Sequence, residues 1–103
     1  MSAANALRGE AELRVGEHVF VLRPSFAALV AAEAELGPLF ALVERAADAR
    51  LGLGELASLF WHCVKDRPET LTREAVGEAV VAQGLAAVTP ALRVLLGQIL
   101  QGR

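Results

Sequence analysis

The chain has 103 residues, a formal net charge of −2 and 54% hydrophobic residues. That length fits one domain with a single core, and the scattered basic residues exclude a nucleic-acid footprint. No apolar run approaches the roughly 20 residues of a membrane helix, and a single cysteine excludes a disulfide framework and fits a reducing cytoplasm.

Met1 to Arg8 lacks the charged start and apolar run of a signal peptide and reads as a frayed tail. Residues 9–103 then form the one domain. Gly9 to Arg23 reads as a β-hairpin turning at Gly16-Glu17, a two-residue turn of the glycine-first kind. This turn pairs Val15 with His18, Leu13 with Phe20 and Ala11 with Leu22, all on one face. The other face carries Arg14 with Val19, Glu12 with Val21, and Glu10 with Arg23. The first face is expected to meet the core. The second leaves Val19 and Val21 facing solvent, and both strands present open edges unless other chain covers them.

Arg23-Pro24-Ser25-Phe26 is a corner. Pro24 cannot donate to a ladder and pushes Arg23 away from helical angles, and Ser25 can cap the following helix. That first helix spans Phe26 to Leu36, with Phe26, Leu29, Val30 and Leu36 as its apolar stripe and Gly37 as its stop. Glu33 falls within the stripe, either at the rim with its carboxylate in water or paired with an arginine such as Arg23, and the rim is favoured because carboxylates are rarely buried without partners. Glu35 points away.

A second helix starts at Pro38 and runs to about Arg50, with Leu39, Leu42, Val43 and Ala46 inward. Leu51 to Gly54 is a break. It lacks the lysine and Ser/Thr of a phosphate loop, so it reads as an interhelix turn. A third helix, Glu55 to about Asp66, is the expected centre of the core through Leu56, Leu59, Phe60, Cys63 and Val64. Ser58 and His62 lie on its opposite, solvent-facing stripe. Thr72 caps a fourth helix, Arg73 to Gln83, which Gly84 ends. The last helix carries Val88, Leu92, Leu95, Leu96 and Ile99, and Thr89-Pro90 is either a new helix start or a kink.

Catalytic chemistry is not written in this pattern. Adjacent helical residues such as His62 and Cys63 diverge by roughly 100° and cannot chelate one ion, and Cys63 sits on an apolar stripe with no basic neighbour to activate it. There is no Gly-x-Ser-x-Gly, His-Glu-x-x-His or Cys-x-x-Cys. The chain reads as a protein without enzymatic activity and without cofactor or metal.

The hairpin opening at Gly9-Glu10, the Leu22-Arg23-Pro24-Ser25-Phe26 corner, the Glu33 to Leu36-Gly37 helix end and the apolar helix with Trp61 recur in one order. Together they resemble the gene transfer agent family of small phage-tail proteins from the phage-like particles of alphaproteobacteria. That family is described both as a tail tube protein and as a tail assembly chaperone. The resemblance implies a cytoplasmic role in tail building, with tape-measure or major tail proteins as partners and self-association as a further possibility. The expected fold is α+β, an N-terminal antiparallel hairpin packed on four to five short helices. A chaperone is preferred, because the sequence has strands for a hairpin only, whereas a tube subunit closes rings with larger sheets. A tube component or a small regulatory binding module are the alternatives. The candidate partner surface is Arg14, Val19, Val21, Arg23 and Glu33.

Overall fold

Gly16 adopts φ +62°, a conformation that costs glycine nothing, and the chain reverses there. Strands β1 (Ala11–Val15) and β2 (His18–Leu22) pair antiparallel in the register Ala11↔Leu22, Glu12↔Val21, Leu13↔Phe20, Arg14↔Val19 and Val15↔His18. Every expected pair within the strands is present. The structure, a computed structural model, describes residues 9–102, so the tail expected at Met1 to Arg8 lies outside the described residues.

Five helices follow: α1 (Phe26–Leu36), α2 (Leu39–Ala47), α3 (Leu53–Cys63), α4 (Arg73–Gln83) and α5 (Leu85–Gln101). The fold is α+β, a two-stranded hairpin laid on a helical body. Ser25 Oγ accepts the Ala28 N–H at 3.2 Å and Thr72 Oγ1 accepts the Ala75 N–H at 3.0 Å, so both caps form. Gly37 and Gly84 end α1 and α4 at φ +94° and +91°. No single helix among the described residues is long and apolar enough to cross a membrane.

The core centres on α3. Leu59, Phe60 and Cys63 are buried together with Leu13, Leu22, Leu42, Val76, Val80 and Leu95. One face of the hairpin supplies Leu13 and Leu22, as side-chain alternation requires.

Three expectations change, and one open alternative closes. First, the hairpin edges are not open along their length. The chain leaving α3 turns extended at Val64 (ψ 119°) and lies antiparallel beside Leu22. The Arg23 N–H donates to the Cys63 carbonyl at 2.6 Å, and the Lys65 N–H donates to the Val21 carbonyl at 2.8 Å. Val64 thus acts as a rung of a third strand, and α3 stops at Cys63 rather than Asp66. On the other edge, the Gln83 side-chain amide donates to the Arg14 carbonyl at 2.6 Å.

Second, the buried face of α1 is made by Ala32, with Ala28, Leu29 and Leu36 packed against the core. Phe26 is 85% exposed, and Val30 also faces out. Leu29 and Leu36 thus keep their expected inward place, whereas Phe26 and Val30 give way to Ala28 and Ala32.

Third, α2 ends at Ala47 and α3 begins at Leu53, so the break lies earlier than Leu51 to Gly54. Ala49 takes φ +58°, and the Ala49 and Arg50 N–H groups donate to the Ala46 and Arg45 carbonyls at 3.2 and 2.7 Å. This is a Schellman ending with alanine where glycine is usual. Gly52 then precedes α3, and Glu55 reaches back to accept its N–H at 3.0 Å.

Fourth, α5 runs through Thr89-Pro90 as one helix. Pro90 has no N–H to donate, so the helix forgoes one backbone bond there, and one residue earlier the Thr89 hydroxyl donates to the Leu85 carbonyl at 2.7 Å.

Candidate functional site

Five residues were singled out as a partner surface, and the fold separates them. Arg14 and Val19 face each other across the hairpin, both exposed, with Val19 at 52%. Val21, expected in solvent, is 6% exposed. The Lys65 N–H donates to the Val21 carbonyl at 2.8 Å, so Val21 lies between Lys65 of the added rung and Glu12 of β1, an inner position that the hairpin alone does not have. Arg23 pairs with the buried Glu10 at 3.4 Å. Glu33 is exposed, as the rim reading required, and its carboxylate accepts the Leu39 N–H at 3.1 Å, so it caps α2 from α1. The alternative pairing of Glu33 with Arg23 is not made, because each has another partner.

The outer face of α1 carries exposed apolar side chains. Phe26, Val30 and Glu33 share it at helical spacing. The bond from Leu39 to Glu33 brings the start of α2 alongside, where Phe40 is 83% exposed. Two aromatic rings left almost wholly exposed are unusual for so small a fold, and exposed apolar surface of this kind marks interaction sites. The sequence reading missed this surface, because apolar character assigned Phe26 to the core and Phe40 was not singled out.

A second feature joins three helices. Glu35 Oε1 lies 2.8 Å from His62 Nε2, and Glu35 Oε2 pairs with Arg73. The His62 side chain is only 8% exposed, so its expected place on the solvent face is corrected. The helix face opposite the core stripe is covered by α1. Because a carboxylate only accepts, Nε2 carries the proton in this bond. The His62 hydrogen bond is the main cause holding the Glu35 carboxyl below its usual range; partial burial opposes it and Arg73 adds to it. Alongside, the Arg67 and Arg73 guanidiniums lie 3.6 and 4.4 Å from the Trp61 ring centre. Trp61 Nε1 donates to the Leu71 carbonyl at 3.0 Å. This arrangement clasps α1, α3 and α4 together, and its polar groups are spent on one another.

Cys63 is buried, and burial pushes its thiol up to about 12. At neutral pH it stays protonated and does not act as a nucleophile. Among the described residues no group of His, Cys, Asp and Glu side chains is placed to hold a metal ion.

Comparison with known proteins adds one finding. A family model described as a phage tail tube protein, GTA-gp10, matches residues 8–102. No curated protein and no solved structure matches the chain.

Proposed function

The chain belongs to the phage tail tube protein family GTA-gp10, a family of tail proteins, and from that premise we propose that it serves tail building as an assembly chaperone. It would act in the cytoplasm, without enzymatic activity, by holding segments of the tape-measure or major tail protein until they polymerise.

The observation that carries this reading is the outward placement of Phe26 and Phe40 on a fold whose own core is already filled by α3 and its neighbours. Holding partner segments needs apolar surface that the monomer leaves uncovered. The sheet gives further support. It has two strands and one extra rung, and Gln83 and Val64 occupy parts of its two edges. Each edge is thus partly taken within the monomer, which leaves less of it for joining subunits into a ring by strand pairing.

The second reading, a structural tube component, follows from the family's description as a tail tube protein. Co-expression distinguishes them. A chaperone should keep the tape-measure protein soluble and co-purify with it as a complex. A tube component should instead assemble by itself or with the tail tip and leave the solubility of tape-measure protein unchanged.

A further inference from the structure

Between α3 and α4 lies a groove of about 500 Å3, lined by Leu53, Gly54, Ala57, Gly77 and Val81, with Glu74 and Glu78 beside it on α4. Gly77 sits inside α4 and Gly54 in the first turn of α3. Glycine weakens a helix relative to alanine, so each position calls for a reason. Backbone angle is not one, since neither glycine has positive φ. Internal packing is not one either. A methyl group at Gly77 would sit 3.6 Å from the Ala57 Cβ, an ordinary contact, and one at Gly54 would meet nothing within 4 Å. The space that both glycines keep open faces outward into the same groove. Leu53 and Val81, both exposed, stand in it as apolar walls.

The charges narrow the occupant. Glu74 and Glu78 are exposed, one helical turn apart, and among the described residues no basic side chain pairs with either. Like charges at this spacing repel, and a cation arriving from outside would relieve them. A second copy presenting Phe40 would bring Glu33 and Glu44 with it, adding like charge. The geometry points to a partner α-helix, its small or aliphatic face set against Gly54 and Gly77 and its flanking lysines or arginines meeting Glu74 and Glu78. Close approach over glycine and alanine is how helices pack most tightly, and helix-in-groove capture is a common recognition mode. That the helix belongs to the tape-measure protein rests on the tail-assembly reading; the chemistry of the helix does not.

The test uses the full chain and two synthetic helical peptides with one leucine-alanine stripe, flanked by lysines in one and by glutamates in the other. Wild-type protein should bind the lysine peptide, more weakly as salt rises, and should discriminate against the glutamate peptide. Gly77→Ala and Gly54→Leu should melt no lower than wild type yet bind the lysine peptide roughly tenfold more weakly or worse. Glu74→Lys with Glu78→Lys should reverse the preference between peptides. Unchanged binding in the filled variants, equal binding of both peptides, or loss of a homodimer in Gly54→Leu would each overturn the groove. A parallel pull-down with tape-measure protein separates the two readings. Lysine-peptide binding without tape-measure capture overturns the tail-assembly reading and keeps the groove. Capture that survives all three variants does the opposite.

Discussion

Phe60 and His62 stand two positions apart on α3 and are held by different physics. Phe60 is fully buried among apolar side chains, so Phe60→Ala leaves a cavity and should cost about 3–5 kcal/mol. His62 is also shielded, but its contribution is the bond to Glu35, whose carboxylate keeps Arg73 and remains partly solvated. His62→Ala should therefore cost about 1 kcal/mol. Denaturant melts of both variants check this order, and equal losses would contradict it. Glu35 also carries a pH signature. Its carboxyl lies below the ordinary value of 4.5, chiefly through His62. A lowered carboxylate contributes stability above the ordinary value and loses it as pH falls through the lowered one. Acid unfolding should thus deepen below pH 4.5, and Glu35→Gln should flatten that limb in a pH series of melts. Glu55, lowered chiefly by the Gly52 N–H and then by Arg45, should supply the slope that remains.

At the scale of elements, most local signals could be read from residues alone. Gly16-Glu17 and strict alternation gave the hairpin pairs, and Ser25, Gly37, Thr72 and Gly84 set helix ends where caps and glycine belong. What failed was long-range. Nothing in Val64 announces that it will lie beside Leu22, so the burial of Val21 could not be read. The Glu35–His62 bond spans 27 positions and leaves no periodic trace. Half of the α1 face was misread: Leu29 and Leu36 pack on the core as expected, but hydrophobicity also favoured Phe26 and Val30, where the structure turns Ala28 and Ala32 inward. The groove was missed because Gly54 was assigned to a break; its available signal was a pair of glycines inside helices. One element retains removable strain. Ala49 in the left-handed region costs roughly 1–2 kcal/mol, and glycine there would return about 0.4–1 kcal/mol through unfolded-state freedom. Ala49→Gly should stabilise the chain by about 0.5 kcal/mol, a rise of about 2–4 °C in Tm by calorimetry. A fall in Tm would contradict the Schellman ending.

At the scale of the molecule, a small core is complete while two aromatic rings stay outside it. Phe26 and Phe40 contribute little to the fold at their exposure, so Phe26→Ser with Phe40→Ser should change stability by no more than about 0.5 kcal/mol per site. The same variant should lose capture of tail proteins, with circular dichroism as the control for folding. Retained capture would move the working surface elsewhere, to Val19 and Arg14 on the hairpin or to the α3–α4 groove. The two readings of the family differ most directly in where the chain ends up. Quantitative mass spectrometry of purified phage-like particles and of the lysates that made them measures this. A chaperone is expected to be abundant in lysate, required for tail formation and absent from mature particles. Recovery of the chain in finished tails, at copy numbers matching the tube rings, would contradict the account.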